Sequence, residues 1–176
     1  MSQASRRIFL CFILTLFIAS STGCQKKAAE CPFTTITWED TLEDIMALEG
    51  DPAETYDSVY DGITYTFPKE YDGLKGTIKY MFDDKEKLVC LSWLYETDDS
   101  GDLAEVYDQL HAQVEEMLGE SGFQFHSEQF ADLTSPNDVW YLEGGNVILS
   151  TVDTSDLKVL QYTFKHPDVS EEKPVK

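Results

Sequence analysis

Oxygen-bearing side chains recur at alternate positions after an apolar run, in the order that a calcium-binding loop requires. Glu96, Asp98 and Ser100 would take ligand positions 1, 3 and 5 of such a loop. The glutamate that closes these loops at position 12 is replaced by Tyr107. A cluster of acids that includes Asp102 is also typical of a helix N-terminus, where the helix dipole stabilises negative charge. The pattern therefore indicates either an incomplete calcium site or a capped helix.

The other residue types that carry chemistry form no catalytic motif. His111, His126 and His166 stand at no metal-ligand spacing, and the glycines around Ser121 lack the spacing of a nucleophile elbow. The sequence contains no phosphate-binding loop and no dinucleotide fingerprint. We therefore expect a protein without catalytic residues, metal or cofactor. Because 33 acidic residues are present, an extracellular hydrolase that uses two of them is the alternative.

Aromatic residues offer a candidate ligand surface. Trp93 and Tyr95 alternate along one apolar run, and Trp140 and Tyr141 are neighbours in another. Tyrosine and tryptophan combine an apolar ring with a polar tip and are favoured at binding surfaces. These four residues are the predicted ligand face, on a side of a sheet that no helix covers. The alternative is that they belong to the core of a small domain.

The first 23 residues have the features of a secretory signal. Arg6 and Arg7 precede a 12-residue apolar run over residues 8–19, and small residues follow up to Gly23. A run of this length is shorter than a membrane-spanning helix requires. We therefore expect residues 1–23 to be absent from the mature, exported protein.

The end of this segment, Ser21-Thr22-Gly23-Cys24, resembles the lipobox of bacterial lipoproteins, with Ser21 in place of the usual leucine. The resemblance implies that Cys24 becomes the first mature residue and carries acyl chains such as palmitate. Two such chains suffice for stable anchoring. The protein would then be exported and held on the outer face of a bacterial membrane, with residues 24–32 as a tether.

Charge restricts the possible partners. The whole chain has 13 Lys+Arg and 33 Asp+Glu, a net charge of −20. Loss of residues 1–23 removes both arginines and no acid, which leaves 11 − 33 = −22. Such a surface is unsuited to nucleic acid and to electrostatic docking on anionic lipid. Without arginine, a site for phosphate groups is also disfavoured.

Two cysteines remain beyond Cys24. Cys31 and Cys90 could form a disulfide outside the cytoplasm. The alternative for Cys90, which lies in an apolar run, is a buried thiol. No C-x-x-C pair is present, so neither a redox motif nor a zinc ribbon is indicated.

Two segments have the periodicity of amphipathic helices. Apolar residues three and four apart predict a long helix over 102–118, with Asp102 and Glu105 as the capping pair and Gly119 at its end. A shorter helix is predicted over 41–49, capped by Thr41 and ended by Gly50.

Alternating or continuous apolar runs predict strands at 34–38, 63–67, 78–82, 88–95, 123–125, 139–142, 147–152 and 159–164. Short links between them favour antiparallel pairing. The expected fold is a two-layer α+β domain, in which an antiparallel sheet of about six or seven strands carries one short and one long helix on one face. This domain is expected over residues 33–166, followed by a loose polar tail at 167–176.

The order of these elements resembles small bacterial lipoproteins of the outer-membrane assembly type (BamE/SmpA-like) and β-lactamase inhibitory protein. A tryptophan before a capped helix, an acid and a proline at its end, and a tyrosine-rich meander carry the likeness: Trp38, Thr41, Ile45, Leu48, Glu49, Pro52, Tyr65, Tyr80 and Phe82. Those folds act by binding other proteins. The resemblance implies a non-catalytic module that binds a protein or a cell-wall ligand; a calcium-binding surface lipoprotein is a further alternative.

Overall fold

The computed structural model describes residues 29–125 and 137–174. The predicted signal segment, Cys24 and His126 lie outside these ranges. The described chain is of the α+β class, with an open antiparallel sheet and two α-helices. The helices are α1 (Leu42–Glu49) and α2 (Ser100–Leu118). The strands are β1 (Glu54–Asp57), β2 (Asp61–Tyr71), β3 (Leu74–Asp83), β4 (Leu88–Glu96), β5 (Phe123–Phe125), β6 (Asn137–Trp140), β7 (Val147–Asp153) and β8 (Lys158–Lys165).

The eight strands follow the order β1-β2-β3-β4-β8-β7-β6-β5, and every neighbouring pair is antiparallel. Strands β1 to β4 precede α2 in the chain and β5 to β8 follow it. Among the described strands, the two groups pair with each other through β4 and β8, over seven residues from Cys90↔Lys165 to Glu96↔Val159. The sheet is therefore continuous because the last strands of the two groups, β4 and β8, lie side by side.

At the N-terminal end one predicted strand is absent and one strand was not predicted. No strand forms at 34–38, because Asp40 accepts hydrogen bonds from the backbone and the hydroxyl of Thr37 and closes a turn. The edge strand β1 was not predicted. All four of its residues are exposed, so its sequence lacks the apolar alternation that marks a half-buried strand.

The short helix α1 begins where its sequence predicts. The Thr41 hydroxyl accepts a hydrogen bond from the Asp44 backbone at 3.3 Å, and the Asp44 carboxylate accepts one from the Thr41 backbone at 2.9 Å. This reciprocal capping box satisfies two of the amide groups that a helix start leaves free. Gly50 ends the helix with a positive φ of 92°, as predicted.

The long helix α2 begins at Ser100, two residues nearer the N-terminus of the chain than predicted. Its cap is Asp99, which accepts hydrogen bonds from the amides of Gly101 and Asp102. Asp102 cannot serve as the cap, because it lies inside the first turn and accepts a hydrogen bond from the Tyr95 hydroxyl at 2.6 Å. The end at Gly119, with a φ of 80°, is as predicted. Among the described residues, no helix combines the length and apolarity that crossing a membrane requires.

A single core cluster joins the sheet, both helices and the N-terminal segment. Residues 88–94 of β4 are buried without interruption, as the continuous apolar run predicts for a strand covered on both faces. Phe33 makes edge-to-face contacts with Tyr71, Tyr162 and Phe164 at centroid distances of 5.5–5.8 Å. Ala29 and Cys31 also pack against this cluster, so the chain joins the domain before residue 33, where the tether was predicted to end.

The C-terminal segment is docked rather than loose as far as Glu171. Pro167–Val169 form a 3₁₀ turn, and Lys87 binds the Asp168 carboxylate at 2.8 Å. The hydroxyl of Ser170 accepts a hydrogen bond from the backbone of buried Asn146, whose side chain donates to the Glu171 carbonyl. These bonds satisfy polar groups of Asn146 that would otherwise be buried without partners.

His166 connects this segment to the N-terminal part of the domain. Its imidazole lies edge-on to Trp38 at 5.5 Å, and its Nδ1 accepts a hydrogen bond from the Asp168 amide at 3.1 Å. Burial, followed by the nearby ammonium of Lys87, lowers the pKa of His166; the carboxylate of Asp168 opposes this shift. The folded protein therefore favours the neutral imidazole, whose Nδ1 is free to accept.

We expect the stability that His166 contributes to be complete above its ordinary pKa and to be lost as the pH falls through the lower pKa of the folded state. The variant His166→Asn keeps a capping acceptor but does not titrate. The difference in unfolding free energy between the wild type and this variant, measured by urea denaturation, should shrink between pH 7 and pH 5. A difference in unfolding free energy that stays constant over this interval would contradict a stabilising role for the neutral His166 imidazole.

Candidate functional site

The four residues of the predicted ligand face do not form an exposed surface. Trp93 and Trp140 are core residues with 0% and 2% of their surface exposed, and Trp140 donates a hydrogen bond to the Gly119 carbonyl at the end of α2. Tyr95 is half-buried and stacks parallel to Trp93 at 6.2 Å, and Tyr141 is also half-buried. The core of the domain fills the face that carries Trp93. The aromatic residues therefore take the positions expected of core residues, which was the alternative to a ligand face.

Cys31 and Cys90 are both free thiols. The register of β4 directs Cys90 to the sheet face opposite Trp93, where it contacts Tyr60. Cys31 lies on the other side, packed against the core cluster that includes Trp93. The sheet thus separates the two sulfur atoms, which corrects the predicted disulfide. Burial raises the pKa of Cys31 to about 12 and that of Cys90 to about 11, so both remain protonated at neutral pH.

The residues of the candidate calcium loop have other partners. Glu96 ends β4 and Asp98 is exposed before the helix cap. Ser100 donates a hydrogen bond to Asp153, and Asp102 accepts one from Tyr95. Within residues 29–125 and 137–174, no group of three or more His, Cys, Asp or Glu residues is arranged to hold a metal ion.

A buried carboxylate that sequence analysis did not single out links α2 to β6. The Asp138 side chain has no exposed surface and accepts a hydrogen bond from the hydroxyl of Tyr107. Ser121 donates to its other oxygen at 2.9 Å, and the Nε2 atom of His111 lies 3.3 Å from Oδ2. Burial and then the contact with Asp138 raise the pKa of Tyr107, which keeps this hydroxyl a donor.

The arrangement of these contacts indicates that Asp138 positions α2 on the sheet. A nucleophilic serine needs a base on its hydroxyl, but Ser121 donates to Asp138 and the His111 imidazole approaches the same carboxylate instead. The carboxylate therefore joins the middle of α2, and Ser121 in the loop that follows it, to the sheet. A sequence signal existed: Asp138 and Trp140 alternate, so a core position for Trp140 directs Asp138 inward as well.

A second buried polar network holds the end of α1 against the sheet. The Glu49 side chain is 6% exposed and accepts from the Lys69 ammonium at 2.6 Å and from the Tyr80 hydroxyl at 2.7 Å. Thr34, in the N-terminal segment, shares a hydrogen bond of 2.9 Å with the same hydroxyl. The network fixes the position of α1 relative to β2 and β3, and so the position of the first turn of α1.

That first turn borders a cleft of about 830 Å³, which we call the acidic cleft. Its other walls are the β1–β2 and β3–β4 hairpins. The apolar lining includes the rings of Tyr65 and Phe82, which meet edge-to-face at 5.8 Å, together with Leu42 and Ile63. Six carboxylates also line it: Glu43, Asp57, Asp61, Asp83, Asp84 and Glu86. No lysine lines the cleft.

The six carboxylates are not equivalent. Asp83 accepts hydrogen bonds from the amides of Lys85 and Lys87, which lowers its pKa and stabilises its own hairpin turn. Asp61 occupies the left-handed region with a φ of 67°, at the end of a three-residue hairpin loop. In the described part of the chain, none of the six lies within salt-bridge distance of a lysine. Like charges above an apolar wall concentrate the field, so the cleft attracts cations.

Replacement of Tyr107 by phenylalanine should destabilise the fold, because Asp138 then loses one of its donors while it remains buried. We expect a loss of about 1–3 kcal/mol in the free energy of unfolding, measured by urea denaturation. The control is Tyr95→Phe, which removes a hydroxyl donated to Asp102 near the surface and should cost less. Equal losses in the two variants would contradict the importance of the buried carboxylate.

No family model, curated protein or solved structure matches this chain. The resemblance to outer-membrane assembly lipoproteins and to β-lactamase inhibitory protein remains a prediction. Any argument about function therefore depends on the acidic cleft and the buried networks that position it.

Proposed function

We propose that the protein is a lipid-anchored, extracytoplasmic binding module without catalytic activity, and that the acidic cleft receives its ligand. The cleft has the volume of an ordinary ligand site, and its apolar lining offers surface that a ligand can bury. The composition of the cleft is the observation that carries the proposal, because six carboxylates and no lysine select a cationic ligand.

The proposal includes a two-layer arrangement, in which α1 and α2 cover one face of the sheet. Ile45 of α1 and Val114 of α2 are fully buried members of the same core cluster as Trp93. Tyr107 of α2 reaches Asp138, and Glu49 of α1 reaches Tyr80. By strand register, Asp138 and Tyr80 lie on the face that carries Trp93. The acidic cleft then lies where the helix layer ends over β2 and β3.

A hydrolase is less well supported by these contacts. Asp138 is a buried carboxylate of the kind that acid–base chemistry uses, but its side chain has no exposed surface on which a substrate could bind. Its oxygens already accept or approach three side chains. This arrangement favours a structural role for Asp138.

Binding of a cationic probe tests the cleft. We expect a capped eight-residue peptide of alternating lysine and valine to bind the full chain, with an affinity that falls as salt is added. The triple variant Glu43→Gln/Asp57→Asn/Asp84→Asn should bind about tenfold more weakly by calorimetry, since each exposed charge contributes about 0.5 kcal/mol. These three were chosen because Asp83 and Asp61 also shape the backbone.

The matched control removes three charges from the opposite end of β4, about 25 Å away by strand rise. The variant Glu96→Gln/Asp98→Asn/Asp156→Asn has the same net charge as the cleft variant and should bind the peptide like the wild type. Equal weakening in both variants would show that only net charge matters, and no binding of the peptide at all would overturn the proposed function.

Anchoring at Cys24 would place the domain close to the membrane. Ala29, which packs against the core, follows Cys24 after four residues and five Cα-to-Cα steps. A fully extended segment of this length spans at most about 18 Å. With a net charge of about −22, the domain would be repelled by an anionic membrane and drawn to cationic partners at the same surface.

The lipid anchor predicts a specific labelling pattern. The variant Cys24→Ser should lose incorporation of radiolabelled palmitate in a bacterial host, because the acylated sulfur is removed. The variant Cys11→Ser, within the apolar run, is the control and should keep the label. Palmitate retained in Cys24→Ser would rule out this residue as the anchor.

A further inference from the structure

The strand beside the acidic cleft has an unpaired edge. β1 is the terminal strand of the sheet, and all four of its residues are exposed. Natural proteins often protect such edges with lysine, proline or a covering segment. β1 contains neither lysine nor proline; its charged residues are Glu54 and Asp57.

The register of the β1–β2 hairpin shows which backbone groups are free. The Ser58 amide donates to the Gly62 carbonyl, and the Asp61 amide donates to Ser58, as in a three-residue hairpin loop. Antiparallel pairing uses the backbone groups of every second residue. Counting back from Ser58, Glu54 and Tyr56 therefore pair with β2, whereas Thr55 and Asp57 direct their N–H and C=O groups away from the sheet.

The side chains of the same two residues lie on the face of the sheet that carries the cleft. Thr55 lies opposite Tyr65 and Asp57 lies opposite Ile63, so both project from the face that carries these cleft residues. A strand added to this edge would have its hydrogen-bonded residues opposite Thr55 and Asp57, with their side chains on that face as well. Free backbone groups and the acidic cleft would thus contact the same residues of a partner.

Charge decides between a second copy of this chain and a different partner. Two copies paired through β1 would bring two acidic strands side by side, each with Glu54 and Asp57, which repels them. The exposed ring of Tyr56 on the opposite face already contacts a cation, since the Lys79 ammonium lies 5.8 Å from its centroid. Because Lys79 already occupies that ring, the cleft face of this edge is the one that suits a chain carrying positive charge.

We propose that an extended, lysine- or arginine-bearing segment of a partner polypeptide adds to β1 as an antiparallel strand and places its cationic side chains in the acidic cleft. This inference rests on the proposed function and names the ligand class and its pose. The backbone bonds supply affinity and the cleft selects the charge, which are the separate roles of the two parts in strand addition.

N-methylated peptides test the pose with the full chain. In the proposed register, the lysines of the lysine–valine peptide face the cleft and exchange backbone hydrogen bonds with Thr55 and Asp57. Methylation of the lysine amides should weaken binding at least tenfold, whereas methylation of the valine amides, which point outward, should leave the affinity within about twofold. Amide exchange at Thr55 and Asp57 should slow on binding of the unmodified peptide.

Spermine is the second probe, because it is a cation without a peptide backbone, and it should bind more weakly than the peptide. The variant Thr55→Pro, which removes a free amide and no bond of the sheet, should also weaken peptide binding without changing spermine binding. If that variant fails to fold, the two methylated peptides still test whether the peptide adds to β1 as a strand.

Equal affinities of the two methylated peptides, or spermine that binds as tightly as the unmodified peptide, would overturn strand addition. The acidic cleft would remain as the site provided that the triple cleft variant still weakened binding. Loss of all cation binding by the wild type would overturn the proposed function itself.

Discussion

The pairing of β4 with β8 is the constraint on which the rest of the fold depends. It joins two groups of strands that α2 separates in the chain, and it places Trp93 directly beside Tyr162 in the centre of the sheet. Both side chains are almost completely buried, and Tyr162 in turn contacts Phe33. Because β4 is covered on both faces, any shift of register would expose one set of its apolar residues. The helices and both chain ends then pack around this strand pair.

The sequence was sufficient to predict those helix ends and strands that are determined by residues close together in the chain. The capping box of Thr41, the glycine at 119 and the continuous apolar run of β4 each identified a boundary or a strand. The start of α2 was misplaced because several acids compete for one cap, and the contact between Tyr95 and Asp102 decides among them. β1 was missed because its pairing with β2, rather than its own composition, makes it a strand.

The candidate site was harder to predict, because burial depends on contacts between distant residues. Trp93 and Tyr95 were correctly placed on one strand face, but only the core contacts show that this face is closed. Asp138 was one acid among many until its contact with Tyr107, 31 residues away, distinguished it. The acidic cleft combines a helix start with two hairpins, and no single segment carries its pattern. The acidic residues could be counted from the sequence, but the sequence did not show that six of them meet in one cleft.

The attachment of the N-terminal segment has a mechanical consequence. Residues 29–38 form no strand, and Phe33 holds them through ring contacts with side chains of β2 and β8. A pulling force from an anchor at Cys24, as proposed above, would act on these contacts before it reached any hydrogen-bonded ladder. Side-chain contacts can yield one after another, so the segment would peel away while the sheet stayed intact. Release of residues 29–36 would lengthen the connection by up to about 28 Å. The domain would thus carry its own extensible spacer, whose release would also remove the Thr34 contact from the network that holds α1 beside the acidic cleft.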